Sequence, residues 1–285
     1  MGIRLASTKK YISSKFISDK FDIDRISNLS LFLYDQLLVI IAHPEKVRAI
    51  SGVHIYTINS KEDLNVILDA DELINQSRAT GKLTVHHQKF GLVPGPLFNP
   101  SHTSLYLNFS TDLEKGDWEI SYEGVHNNSI QVVSALDKSF LTKLDGLIPE
   151  LEIAHGAAQV LDFFLNNNQD LLNQEIFINI SPGSIYIAAF KGGELVLFNR
   201  FAIHEEADFL KYVLTVIQQL AFDRVHCKIS LFGNLDYVHC ELENLQRYFK
   251  NIQLKEQKQN IEYQPGAEDF KNTRLLEAFW SPNNL

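Results

Sequence analysis

Two cysteines, one methionine and two tryptophans occur in 285 residues. With Cys227 and Cys240 as the sole thiols, the disulfide framework that holds small secreted domains together cannot be built. Long apolar runs are missing too: Leu37-Leu-Val-Ile-Ile-Ala42 is far short of the ~20 residues that span a bilayer. Basic residues are outnumbered, 26 Lys+Arg against 35 Asp+Glu, for a formal charge of −9. That balance lacks the cation excess with which nucleic-acid binders displace counterions. The start, Met1 to Lys10, is polar and basic without the apolar segment of a signal peptide, and Ala6 stands where myristoylation needs Ser or Thr. These absences predict a cytoplasmic protein with no nucleic-acid partner and no membrane insertion.

What is present is ordinary globular composition, 45% apolar, 21% charged and 11% aromatic. It excludes a disordered, collagen-like or coiled-coil chain. At roughly 150 residues per domain the length suggests two domains. Residues 1–28 read as an N-terminal arm in which Ile12, Phe16, Ile17 and Phe21 could line one face of a short helix. Order then begins with two β-rich runs, Leu29–Tyr34 and Leu37–Ala42, separated by Asp35-Gln36 as in a tight hairpin. A third run, Val47–Ile58, leads to Ser60 and Asp63 at capping-box spacing and to helical periodicity through Ile74, closed by Gly81. A strand at Lys82–Phe90, a short helix ending at Phe109, a hairpin of Trp118–Glu123 with Ile130–Leu136, and a helix near Lys138–Leu147 follow. A strand near Leu151 and a helix at Ala154–Asn166 complete the half. The stretch Asn166–Asp170 is the most linker-like in the chain.

The second half begins in the same way. Strands at Ile176–Ile180, Ile185–Phe190 and Leu195–Ile203 precede a long helix, Glu205–Leu220, then a strand Lys228–Phe232, a helix Leu235–Phe249 and a strand Ile252–Leu254. Both halves read β-β-β-α-β-α-β, offset by about 148 residues, and such a repeat fixes architecture more firmly than any local signal. Three antiparallel strands followed by βα crossovers give a mixed sheet with helices on its faces. The predicted fold class is α/β, two related halves with mixed sheets and an inter-domain cleft. Its bounds are 29–165 for the first half and 166–258 for the second. A tail, 259–285, carries an amphipathic helix at Asp269–Trp280 that docks back on the body.

That duplication resembles the actin, Hsp70 and hexokinase fold, whose halves are ribonuclease H-like. Several stretches are similar to the Bacteroidota family catalogued as domain of unknown function 3822: Leu29-Ser-Leu31, Leu92-Val-Pro94 with Leu97-Phe98, Tyr106–Phe109, Gly193–Asn199 with Phe201, Ala207-Asp208-Phe209, and Leu231-Phe-Gly233. The resemblance implies an actin-like ATPase fold and leaves the activity open. In such a fold, ATP and Mg²⁺ need glycine-containing hairpin turns whose N–H groups reach the phosphates, and carboxylates that hold the metal through water.

The residues that could meet those needs are few. Asp35 supplies an acid in the first turn, but no glycine accompanies it. In the second turn the resemblance puts Asn179 where an Asp is usual, and Ser181-Pro182-Gly183-Ser184 loses one N–H donor to proline. The adenosine position reads Gly233-Asn234. Asp35, Ser181, Gly183, Ser184, Gly233 and Asn234 are therefore the candidate ligand residues, with no catalytic residue assigned. Metal chemistry finds no better support. His226-Cys227, His239-Cys240 and His86-His87 are adjacent pairs that cannot readily share one ion, and His204-Glu205-Glu206 lacks a second ligand at helical spacing. No nucleophile elbow and no phosphate-binding lysine loop occur. The reading is a pseudo-ATPase, a non-catalytic actin-like domain that binds or scaffolds a protein partner without cofactor. The alternative is a weak nucleotide binder or ATPase using ATP and Mg²⁺.

Overall fold

A computed structural model describes residues 12–45, 49–113, 116–167 and 172–281. The basic start and residues 168–170 of the linker-like stretch lie outside the described residues. The chain divides into two compact units, one of residues 1–158 with 261–270, the other of 159–260 with 271–284.

The first unit opens with β1 (Ile12–Ile17), β2 (Ile26–Leu33), β3 (Leu37–Pro44), β4 (Ala49–Ile50) and β5 (Gly52–Thr57). Helices α1 (Lys61–Ala70) and α2 (Glu72–Gln76) lead to β6 (Thr80–Val85). A small module follows, of β7 (Phe90–Pro94), α3 (Thr103–Ser110), β8 (Trp118–Val125) and β9 (Ile130–Asp137). Then come α4 (Lys138–Asp145), β10 (Glu152–His155) and α5 (Gly156–Asn166), within which the division between units falls. The main sheet has the order β1-β5-β3-β2-β6-β10, and the module forms its own sheet, β7-β9-β8. Leu64, Ile67 and Leu68 of α1 and Leu141 and Leu144 of α4 are buried against Leu29, Leu31, Leu38 and Ile40 of the main sheet.

The second unit contains β11 (Gln174–Ser181), β12 (Ser184–Lys191), β13 (Glu194–Ala202), α6 (Glu206–Gln219), β14 (Lys228–Gly233), α7 (Leu242–Tyr248) and β15 (Ile252–Leu254). Its sheet order is β13-β12-β11-β14-β15, the same sequence of roles as β5-β3-β2-β6-β10. The predicted repeat is seen in the strands themselves: β11 starts 148 residues after β2 (Gln174 against Ile26), and β14 starts 148 after β6 (Lys228 against Thr80). One face of this sheet packs Ile176, Ile178 and Ile180 against Phe209, Val213 and Val216 of α6. The other face stacks Phe177 and Phe232 with Phe164 of α5 at ring separations of 5.6 and 6.1 Å. A last strand, β16 (Glu262–Tyr263), pairs with β4 in the first unit.

Several elements differ from the sequence reading, each for a local reason. Ile12–Ile17 is a strand and not a helix, because the edge of β5 offers antiparallel backbone partners from Tyr56 to Gly52. The helix expected to run through Ile74 breaks at Asp71, whose ψ of 131° is extended. The Asp71 carboxylate is held there by the His54 Nδ1 (2.6 Å) and the Tyr56 hydroxyl of β5, while its other oxygen accepts from the Ile74 N–H and caps α2. Helix α2 then ends at Gln76, where Arg78 takes a φ of 53°, and Gly81 belongs to β6. The run Leu235–Phe249 is interrupted at His239 (φ 54°), giving a 3-10 turn before α7. Arg274 (φ 56°) likewise divides the expected tail helix into 3-10 turns at Glu268–Thr273 and Leu276–Ala278.

Two buried polar groups of the first unit make its stability depend on pH. His43, on β3, lies against the Ser30 hydroxyl of β2 (3.0 Å) and bonds to the backbone at Ala49. Burial dominates and pushes its imidazole down to about 4, so it stays neutral in the native state. The unfolded chain binds a proton near pH 6.5 that the native state refuses, so stability is full above 6.5 and falls as pH drops toward 4. Denaturant titrations at pH 7.5 and 5 should show this residue removing about 2 kcal/mol, a pH slope missing from His43→Gln. For Asp71, burial alone would raise the carboxyl. The bonds from His54, Tyr56 and the Ile74 N–H outweigh it and hold the group below its ordinary value. Its contribution is present above pH 3.8 and lost as pH falls below. At neutral pH Asp71→Asn should cost about 3 kcal/mol in a urea unfolding midpoint, since two buried partners lose their acceptor charge.

Candidate functional site

In open α/β sheets, ligands meet the chain at the carboxyl ends of parallel strands. The parallel pairs that include the first strand of each repeat are β2 with β6 and β11 with β14. Every candidate residue from the sequence lies at one of those ends.

In the second unit, Ser181 pairs directly with Ser184 across the hairpin, leaving Pro182-Gly183 as its two-residue turn. Gly183 has φ 67°, the left-handed value such a turn requires after proline. The two serines are almost fully buried, at 1% and 0% exposure, and their hydroxyls lie 3.2 Å apart. Beside them Ile180 is in register with Gly233 of β14. A Cβ on Gly233 would stand 2.3 Å from the Ile180 carbonyl oxygen, and its φ is 105°. The Asn234 side chain accepts from the Asp236 N–H and caps the following 3-10 turn. Ser181, Gly183, Ser184, Gly233 and Asn234 are thus brought together, with each polar side chain engaged inside the unit. Asn179, one step inside the strand pair, is buried at 2%, and among the described residues its Oδ1 has no hydrogen-bond donor.

Asp35 belongs to the first unit. Tyr34 donates its N–H to the Leu37 carbonyl (2.8 Å), so Asp35 and Gln36 form the turn. The Tyr34 ring is buried and stacked on His86, at the end of β6, with centroids 4.2 Å apart. A cavity of about 590 Å³ opens beside this turn and includes Asp35 in its wall. Leu33 and Val85 form part of its apolar lining, from the ends of β2 and β6. Across from them stand the first turns of α1 and α4. Asp137 caps α4, with Oδ1 accepting from the N–H groups of Ser139 and Phe140 and Oδ2 from the Lys61 ammonium (2.8 Å). The Lys61 bond comes first among the causes that hold the Asp137 carboxyl down at about 2, and the same contact raises Lys61. Lys143 pairs with Asp69 (3.1 Å) and bonds to Asn65, while the Lys89 ammonium sits 4.7 Å from the centre of the Trp118 ring.

Sequence reasoning missed this cavity. Its cations come from positions 61, 89 and 143, and no motif links them. The adjacent histidines behave as their alternation suggests, His86 turning to Tyr34 and His87 to His155. His155 Nδ1 accepts from the Ala157 N–H and His87 Nδ1 from the Lys89 N–H. His155 Nε2 and His87 Nδ1 approach to 3.1 Å, joining the ends of β10 and β6. Cys227 and Cys240 are buried thiols pushed up to about 12, chiefly by desolvation, and His226 is engaged with Asp223 at 2.7 Å. Among the described residues, no three His, Cys, Asp or Glu side chains gather as a metal site would require. No described helix is long and apolar enough to cross a membrane.

The two turn glycines should respond differently to a methyl group. At Gly183 nothing lies within 4 Å of the added Cβ, so Gly183→Ala should lose about 1 kcal/mol from left-handed strain alone. Gly233→Ala meets a backbone carbonyl as well and should lose at least twice as much, with chemical denaturation as the measurement.

No curated protein matches the chain. Among solved structures it is similar to a Bacteroides thetaiotaomicron protein with an actin-like ATPase fold and unknown function. The TM-score is 0.71 at 16% identity, covering 83% of this chain and 93% of that one. It is also similar to a chain of the PilM–PilN type IV pilus biogenesis complex, with TM-score 0.52 at 12% identity, over 89% and 96%. At such identities the likeness shows the fold, and the fold is the actin-like ATPase one that the duplicated β-β-β-α-β-α-β pattern implied. Residues 18–252 match the family described as Protein of unknown function (DUF3822), and the chain belongs to that family.

Proposed function

We propose that this protein is a non-catalytic actin-like domain, a cytoplasmic module that binds or scaffolds a protein partner without nucleotide or metal. The observation that carries the reading is the state of the second-unit turn. Phosphoryl transfer needs backbone donors around the phosphates and carboxylates to hold Mg²⁺. Here Pro182 removes a donor, Ser181 and Ser184 are buried against each other, and the position where the resemblance implies an acid holds Asn179. The acidic balance of the chain opposes a polyphosphate and nucleic acid alike. The PilM–PilN assembly, similar in fold, is a complex of two proteins, which supports the partner class by analogy.

One feature favours a second reading, a weak ATP- and Mg²⁺-binding domain or ATPase. Gly183 faces open space at the carboxyl end of the strand pair, where a phosphate could approach its N–H. Thermal unfolding separates the two, because a ligand of the native state must raise its melting temperature. Saturating Mg-ATP should leave the transition unmoved. A rise of several degrees that Asp35→Ala abolishes would establish the nucleotide reading instead.

A further inference from the structure

We propose that the cavity of the first unit receives a segment of a partner protein in which a large apolar side chain neighbours a carboxylate. The inference rests on the protein-binding reading above and gives that function a place and a chemistry.

At about 590 Å³ the cavity falls within the ~300–1,000 Å³ range of ligand pockets. Its apolar wall, including Leu33, Ile58, Val85 and Leu136, is suited to a side chain such as Leu or Phe. Charge selects the neighbour. The whole chain carries −9, yet three ammonium groups, Lys61, Lys89 and Lys143, gather on this lining beside two carboxylates. Asp137 is saturated by two N–H groups, the Ser139 hydroxyl and Lys61. Lys143 is engaged by Asp69 and Asn65. Lys89 lies over Trp118 with no carboxylate at ion-pair distance among the described residues, so it offers an incoming anion an unneutralised charge on an aromatic wall. The positive ends of α1 and α4 act in the same direction.

A phosphate ester suits these walls poorly. Asp35 and Asp137 repel a dianion more than a monoanion, and the apolar lining gives a polyphosphate nothing to replace its hydration. A protein segment is favoured over a free small acid by the module that supplies Trp118. The same module exposes Leu97 at 71% and Phe109 at 83%, apolar surface that a small ligand in the cavity would not cover.

Random twelve-residue peptides displayed on phage and selected against the full chain are the probe. Enriched sequences should place Asp or Glu within two positions of Leu, Phe or Trp. A selected peptide should quench Trp118 emission saturably in the Trp280→Phe background, where one tryptophan remains. Its dissociation constant should rise at least tenfold in Lys89→Gln/Lys143→Gln, and by threefold or more in Lys61→Gln, whose exposed side chain (82%) makes misfolding a poor explanation. Raising the salt concentration should weaken binding as well. Enrichment without acidic residues, no enrichment, or quenching by inorganic pyrophosphate that displaces the peptide would each overturn the assignment. Peptides whose binding ignores all three lysine substitutions would overturn this site while leaving the protein-binding reading standing.

Discussion

The first strand of each repeat is bonded along both edges and covered on both faces. In the first unit β2 lies between antiparallel β3 and parallel β6; in the second, β11 lies between β12 and β14. A strand so placed buries most of its side chains, polar ones such as Ser30 and Asn179 included, and it commits its backbone to its neighbours. Its hairpin turn is then anchored beside the carboxyl end of the parallel strand. Each unit therefore has one defined place where backbone and side chains can be turned toward chemistry.

The two units complete that place differently. In the second, a Pro-Gly turn, a buried serine pair and a glycine pressed against a carbonyl close the end of the sheet on itself. In the first, the buried Tyr34 ring stacks on His86 before the turn, and a cavity opens beside them. The same frame thus supports a tightly satisfied end and an open one. The difference lies in a handful of residues at equivalent positions, which is why the fold alone does not name a function.

Much of the architecture was legible from one dimension. The hairpins at Asp35-Gln36 and Pro182-Gly183, the capping of α1 by Ser60 and the 148-residue offset all follow from short-range patterns. The errors share a physical cause as well. Ile12–Ile17 became a strand because a distant edge needed pairing, and the first long helix broke because His54 and Tyr56 captured Asp71 from across the sheet. Of the six candidate residues, Ser181, Gly183, Ser184, Gly233 and Asn234 lie at the adjoining ends of β11 and β14, and Asp35 lies in the first unit. The state of the serines was invisible, because whether a hydroxyl faces solvent or its twin is a property of packing.

The sequence by itself determined the repeat and the α/β class, both of which depend on residue type and local spacing. Only the tertiary structure decided what became of the polar groups. It buried Ser181 against Ser184, held His43 neutral, and drew lysines from three distant segments around one apolar cavity. Burial and convergence of that kind arise from long-range contacts, and a linear pattern carries no record of which side chains will meet.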